Sequence, residues 1–276
     1  MVYIYTILSA VILLVLNGFF EIFRQSYSWW LMPLLFVGII LFCVIVQIAV
    51  LLLTILFTNV EKEQEKKAKF FRFMLKISLP IIVWAARIKI ISSGEEKYPK
   101  DSRVMFVCNH EHDFDPIIIM SVFPNAELAF VGKKDIYKIM PYIAKAMHLL
   151  GGLPIDREND REAAKTIIKA IKYIKDDKYS IAVFPEGYTN TTRELLPFRN
   201  GCFKIATKSN VPIVICAIDD TRVLPKRIFR RKSTVELRLV DVLYPQDYEG
   251  LSTVEIGDIV HEKMRLAIED IRSKNK

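Results

Sequence analysis

Two stretches of this chain carry no charged residue at all, residues 2–20 and residues 29–59. Wound as a helix at about 1.5 Å per residue, the first run reaches about 28 Å, close to the roughly 30 Å of bilayer hydrocarbon. The second is longer and would tilt or extend past that core. Tyr27, Trp29 and Trp30 fall where an interfacial aromatic belt would sit. No basic residue precedes the first run and a second apolar run follows it, which fits a cleaved signal peptide poorly. A hairpin that crosses the bilayer, one that dips in without crossing, and the buried hairpin of a soluble fold remain as readings. The expectation is a hydrophobic helical hairpin over residues 1–58 that anchors the chain in a membrane.

Orientation follows from the basic residues. The link between the runs carries only Arg24, whereas Lys62, Lys66, Lys67, Lys69, Arg72 and Lys76 follow the second run. The positive-inside tendency therefore puts that side, and everything after it, in the cytoplasm. Glu21 and Arg24 cancel within the hairpin, so the formal charge of +8 belongs to the remainder. A basic domain tethered to a bilayer suits anionic headgroups or anionic substrates. Nucleic acid is the other partner such a charge suggests, but no binding motif accompanies it, so none is expected. Residues 59–86 interleave Phe70, Phe71 and Phe73 with Arg72 and Lys76, a pattern suited to an interfacial or linker helix.

From Arg87 onward short strands alternate with amphipathic helices. Strands are expected around Ile88 and Ile90, then over residues 103–108, 128–131, 153–155, 180–184, 211–218 and 235–242. Helices are expected over residues 135–150, interrupted at Pro141, over 158–176, where isoleucines recur at helical spacing, and over 201–209. A final helix opens on a capping box, Ser252 with Glu255. The fold class is α/β: a single domain over residues 87–276, with a central, largely parallel or mixed sheet flanked by helices. Cys43, Cys108, Cys202 and Cys216 have no paired or metal-type spacing and read as packed thiols. Cys108 invites a reading as a thiol nucleophile, yet strand alternation groups it with the core.

The densest chemistry lies at Asn109-His110-Glu111-His112-Asp113-Phe114-Asp115-Pro116, between a strand and a helix that opens on proline. An imidazole at a strand end and a carboxylate five positions on can meet across such a turn. The carboxylate would fix the tautomer and stabilise the cation, leaving the other ring nitrogen to take a proton from a hydroxyl. The plainer reading makes Asp115 a helix cap and His110 a loop residue. In open α/β sheets ligands gather beyond the strand ends, where His110, Arg157 and Glu186 with Gly187 all fall.

In order along the chain, four pieces resemble the motifs of the glycerolipid acyltransferases, which include the lysophosphatidic acid acyltransferases. They are Asn109-His110 with Asp115-Pro116; Leu153 to Arg157; Phe184-Pro185-Glu186-Gly187 with Leu196 to Gly201; and Val211-Pro212-Ile213-Val214. The resemblance implies that His110 is the general base and Asp115 its orienting partner. It implies that Arg157, Glu186 and Gly187 bind the glycerol phosphate of the acceptor. The donor would be a fatty acyl thioester of acyl-carrier protein or coenzyme A, and the acceptor a lysophospholipid, with no metal and no bound cofactor. Two departures stand out. Tyr188-Thr189-Asn190 replaces the usual Thr-Arg-Ser, leaving Arg193 or Arg199 to stand in for the missing arginine, or a different acceptor to be used. His112 stands where serine is more common, either as an accessory hydrogen-bonding group or as an exposed loop histidine.

Other readings stay open at this point. Glycerol 3-phosphate, or a lysolipid with another headgroup, is the alternative acceptor. His110, His112, Asp113 and Asp115 crowd together as the ligands of a metal-dependent hydrolase would. A non-catalytic membrane adaptor would use the basic stretch 222–232 to grip anionic lipid, though a plain solvated loop, or one that meets an acidic carrier protein, accounts for that stretch too.

Overall fold

A computed structural model describes residues 2–20, 31–62, 66–190, 192–227 and 229–274. The aromatic belt expected at Tyr27, Trp29 and Trp30, and the Glu21 and Arg24 of the hairpin link, lie outside the described residues. The two apolar runs form α1 (Val2–Phe20) and α2 (Leu31–Leu56), which pack on each other. Of these, α2 is long and apolar enough to cross a membrane, and most of its surface is bare. Within α1 the side chains described form a shorter apolar helix, Thr6–Asn17.

Helix α3 (Lys69–Ala85) joins this pair to the rest. Gln47, a polar residue buried in α2, donates to Ser78 Oγ at 2.6 Å and so ties α2 to α3. An amide with no water around it needs such a partner, which makes the contact specific as well as stabilising. α3 buries Phe71, Ser78 and Leu79 and leaves Phe70, Phe73 and Trp84 exposed.

The remaining elements alternate as the hydropathy pattern predicts. They are β1 (Ile88–Ser93), β2 (Met105–Cys108), α4 (Asp115–Val122), β3 (Leu128–Lys133), α5 (Ile136–Ile139), α6 (Pro141–Leu149) and β4 (Leu153–Ile155). After these come α7 (Asp160–Lys175), β5 (Ser180–Val183), α8 (Lys204–Ser209), β6 (Ile213–Asp219), α9 (Leu224–Arg227), β7 (Ser233–Leu243) and α10 (Thr253–Lys274). The strands form one seven-stranded sheet in the order β1-β7-β6-β2-β5-β3-β4. β6, β2, β5, β3 and β4 run parallel, β7 is antiparallel to β6, and β1 is parallel to β7. The mixed sheet is therefore the expected one.

Local chemistry explains the boundaries. Pro141 starts α6 where α5 stops, because its ring cannot follow α5 without losing a helix hydrogen bond. Asn159 caps α7 by accepting from the N–H of Arg161 and of Glu162. The capping box at the start of α10 is present: Ser252 N–H donates to Glu255 and Glu255 N–H donates to Ser252 Oγ. In β2, Met105 and Val107 face one core layer while Phe106 and Cys108 face the other. Cys108 is thus a packed thiol, and burial pushes it well above its ordinary range, away from the thiolate a nucleophile needs.

One expectation fails locally. The stretch 222–232 is not a uniformly solvated loop: Thr221–Val223 form a 3-10 turn, α9 follows, and the Arg222 side chain is only 12% exposed in ion pairs. The reason is a pair of buried carboxylates, described below, that no local pattern reveals.

Arg72 joins α3 to the sheet domain. Its guanidinium donates to the carbonyls of Leu128 and Leu150 and lies over the Tyr179 ring, 4.5 Å from the centroid. Arg72→Ala would leave both carbonyls without that donor. It is expected to lower stability by about 1–3 kcal/mol, read as a fall in the thermal unfolding midpoint of the detergent-solubilised protein.

Candidate active site

β2, β5 and β4 are parallel, so their C-terminal ends open on one edge of the sheet. His110 follows β2, Glu186 follows β5 and Arg157 follows β4, which brings the three sequence motifs to that edge. The turn after β2 is closed by a carboxylate. Asp115 Oδ2 accepts from the backbone N–H of Glu111 at 2.8 Å and of His112 at 2.9 Å, and lies 2.9 Å from His110 Nδ1. Asp115 is not the cap of α4. It is the first residue of that helix, and its Oδ2 reaches back over the turn because two amides and an imidazole converge there, while its buried Oδ1 meets no partner.

With a carboxylate as its partner, His110 Nδ1 is assigned as the N–H donor, so Nε2 is left bare to accept a proton. The ring is 14% exposed, whereas Asp115 is fully buried. It stacks on Phe184, with centroids 4.2 Å apart and the planes at 17°. Ring and carboxylate are thus oriented before any ligand binds, the preorganisation that proton transfer rewards.

Glu186 holds the same turn from the other side. Its Oε1 accepts from His110 N–H at 2.9 Å, and its Oε2 accepts from Asn190 Nδ2 at 2.7 Å and Leu196 N–H at 2.9 Å. Asn190 N–H in turn donates to the His110 carbonyl at 2.6 Å. A buried carboxylate satisfied in this way is engaged inside the protein. Its geometry is that of a brace for His110 and not of a group facing the acceptor, as the motif had suggested.

Phe184 also lines a groove of about 640 Å³ that runs between α7 and the sheet edge. Its apolar wall comes from Ile155, Ile167, Ile168 and Ile171, and Arg157, Gly187 and Arg199 line it as well. Gly187 has φ +79°, and a Cβ there would lie 2.9 Å from Arg199 Nε. Only glycine allows both the turn and the close passage of the arginine. Two guanidiniums approach the Tyr188 ring, with Arg157 Cζ 5.5 Å and Arg199 Cζ 5.4 Å from its centroid. Arg199 also donates to Tyr188 Oη at 3.1 Å and to the Arg157 carbonyl at 3.2 Å.

Among the described residues neither Arg157 nor Arg199 is ion-paired with a carboxylate. Burial, and after it the Arg199 charge, pull the Arg157 guanidinium below its ordinary range. Two like charges held together around an aromatic ring form a site that an anion would relieve. Of the two arginines named as stand-ins for the absent motif arginine, Arg199 lines the groove and Arg193 does not. The segment carrying Arg193 is folded back: its carbonyl accepts from Arg272, while its side chain is exposed and does not line the groove.

His112 is half-buried, and its Nδ1 accepts from Phe114 N–H at 3.1 Å, so it shapes the turn. Asp113 accepts from Thr189 Oγ1 at 3.4 Å. Among the described residues no three His, Cys, Asp or Glu side chains converge as metal ligands would. Sequence reasoning missed Tyr188 as a structural partner of both arginines. It also missed Phe184 as the floor under His110, although each sits inside a motif already singled out.

Residues 89–219 match the family model described as Acyltransferase. The chain is 30% identical over 181 residues to the 1-acyl-sn-glycerol-3-phosphate acyltransferase of Borreliella burgdorferi, covering 64% of this chain and 71% of that one. It is 28% identical over 214 residues to the enzyme of the same name from Haemophilus influenzae, covering 73% and 86%. The crystal structure of the lysophosphatidic acid acyltransferase PlsC from Thermotoga maritima superposes with a TM-score of 0.63 at 21% identity, over 99% of this chain and 98% of that one, and so shares its fold. The ordered motifs, the sheet that gathers them and these relatives agree: the chain belongs to the glycerolipid acyltransferase family and is an acyltransferase.

Proposed function

We propose that this enzyme moves a fatty acyl group from an acyl thioester, of acyl-carrier protein or coenzyme A, to the free hydroxyl of lysophosphatidic acid, giving phosphatidic acid. The observation that carries the reading is the 2.9 Å contact between His110 Nδ1 and Asp115 Oδ2. It leaves Nε2 as the acceptor at the sheet edge, in a ring that stacks on the wall of the groove. His110 takes the hydroxyl proton as the oxygen attacks the thioester carbonyl. The tetrahedral intermediate collapses, the carbon–sulfur bond breaks, and the imidazolium returns its proton to the departing thiolate. Asp115 holds the ring and stabilises its cation. No metal and no covalent enzyme intermediate enters these steps.

The acceptor is a phosphate monoester, and Arg157 and Arg199 are its anchors, with Gly187 giving Arg199 room. The names of the relatives from Borreliella burgdorferi and Haemophilus influenzae support this acceptor over glycerol 3-phosphate or another lysolipid. The apolar wall of Ile155, Ile167, Ile168 and Ile171 suits a fatty chain, whose burial is favourable at about 0.8 kcal/mol per methylene. The bare surface of α2 and the exposed Phe70, Phe73 and Trp84 of α3 support a seat in the membrane for a protein whose acceptor and product reside there. The lysines after α2 favour the cytoplasmic face. In this reading residues 1–58 anchor, 59–86 lie at the interface, and 87–276 catalyse.

The test is acyl transfer by the purified protein in detergent, with a panel of acceptors and the product identified by mass. His110→Ala is expected to lose about 10²–10⁴-fold in kcat. Asp115→Asn should lose less, because it disturbs the base without removing it; equal or reversed losses would overturn these roles. Arg157→Ala should raise KM for lysophosphatidic acid by about ten- to a hundredfold, the worth of a charge-assisted hydrogen bond to phosphate. It should also narrow the preference for that acceptor over a phosphate-free one. Unchanged discrimination would remove Arg157 from the anchor.

A further inference from the structure

A second charged cluster lies beside the His110 turn and outside the groove. Glu111 and Asp219 are each 3% exposed, and both face Arg222 and Arg272. Glu111 Oε1 is 3.1 Å from Arg222 Nη1 and 3.2 Å from Arg272 Nη2, while its Oε2 accepts from Thr221 N–H at 3.1 Å. Arg272 reaches Asp219 Oδ1 through Nε at 2.8 Å and Nη2 at 2.7 Å, and its Nη1 donates to the Arg193 carbonyl. Burial, and next the Asp219 charge, push the Glu111 carboxyl up, which the Arg222 guanidinium opposes. Both arginines come from far along the chain: Arg222 lies 111 residues beyond Glu111, just after β6, and Arg272 lies 161 residues beyond it, in the last turns of α10.

Stability alone gives a weak reason for this arrangement. Taking two carboxylates and two guanidiniums out of water is costly, and apolar replacements of such clusters are often neutral or stabilising. What the cluster does supply is geometry. The backbone N–H of Glu111 is one of the three groups on Asp115 Oδ2, so the position of Glu111 sets where that carboxylate and His110 sit. The Arg193 carbonyl belongs to the segment whose Asn190 holds the His110 carbonyl and whose Asn190 and Leu196 bind Glu186. Arg272 therefore touches both sides of the frame around the imidazole.

We propose that Arg272 is a positioning residue for acyl transfer: through Glu111 and the Arg193 carbonyl, the C-terminal helix holds the His110 turn in its productive geometry. The inference rests on His110 being the base. Small displacements of a reacting group cost rate while binding of the acceptor, anchored elsewhere at Arg157 and Arg199, is left alone. The effect should thus fall on kcat and spare KM.

The test measures kcat and KM for lysophosphatidic acid with the full-length protein in detergent, alongside the thermal unfolding midpoint. Arg272→Met is expected to lower kcat about tenfold with KM within about twofold. Glu111→Gln should do the same. The double variant should lose less than the product of the single losses, because the two changes share the Arg272–Glu111 contact. Wild-type kcat in the folded fraction of Arg272→Met, whatever its unfolding midpoint, would reduce the cluster to a staple of the fold and overturn the proposal. So would losses that multiply in the double variant, or a KM that rises as kcat falls. If Arg272→Met does not purify folded, Arg272→Lys decides. One ammonium lacks the planar fork that spans Glu111, Asp219 and the Arg193 carbonyl, so kcat should fall a few-fold, about threefold or more, at unchanged KM; wild-type kcat there would overturn the proposal equally. His110→Ala run in parallel separates the two readings. Full activity in that variant would remove the base itself, whereas its inactivity beside an unaffected Arg272→Met would remove only the positioning role.

Discussion

The carboxylate of Asp115 is the constraint on which the rest of the site depends. It lies at the first position of α4, yet one of its oxygens serves the turn behind it, meeting two backbone amides and the His110 imidazole. A fully buried carboxylate is tolerated only where several donors surround it, so the turn between β2 and α4 has few other shapes to adopt. Glu186 repeats the device from β5, with the His110 amide, the Asn190 amide group and the Leu196 N–H around it. Glu111, in the same turn after β2, repeats it again with Thr221 N–H and Arg222, which follow β6. Three buried carboxylates thus surround the turn that carries the imidazole; Glu186 and Glu111 bond through both oxygens, and Asp115 through Oδ2 alone.

The opposite electrostatic choice is made a few strands away. Several arginines in the described sheet domain that are partly or largely buried meet a carboxylate: Arg103 with Glu127 and Asp177, Arg238 with Glu236 and Asp270, Arg222 and Arg272 with Glu111 and Asp219. Arg157 and Arg199 do not, and they share Tyr188 instead. Like charges held close and partly out of water cost free energy in the empty protein, which an anionic ligand would recover on binding. The excess positive charge of the chain therefore has a specific locus as well as a diffuse one. The Tyr188-Thr189-Asn190 sequence, which departs from the family pattern, provides the ring that keeps the pair together.

Much of the architecture was legible in the sequence, and the reason is periodicity. The apolar runs of α1 and α2, the isoleucine stripe of α7 and the alternation in β2 each reflect one local rule, since burial of a face repeats with the geometry of its own element. The helix breaks at Pro141 and the capping box at Ser252 are equally local. The sequence motifs led to His110 and Asp115 and to Arg157. They did not reveal the internal bonds of Glu186, which depend on Asn190 and Leu196 folding back over it. They also left Arg193 and Arg199 as equals, because only the path of residues 190–199 separates a side chain in the groove from one outside it. The basic stretch 222–232 misled for a related reason. A run of arginines and lysines looks solvated until one of them finds a buried carboxylate from another strand.

By itself, then, the sequence determined the membrane-suited front, the alternating α/β order, the family and the His110–Asp115 pair as neighbours across one turn. Those follow from interactions between residues a few positions apart, or from motifs read in order. The tertiary structure decided which arginines stay unpaired, that Glu186 braces the turn, and that the last helix reaches His110 through Arg272 and Glu111. Such pairings join residues up to 161 positions apart. Their energies depend on burial and on which strand lies next to which, and neither quantity is carried by spacing along the chain.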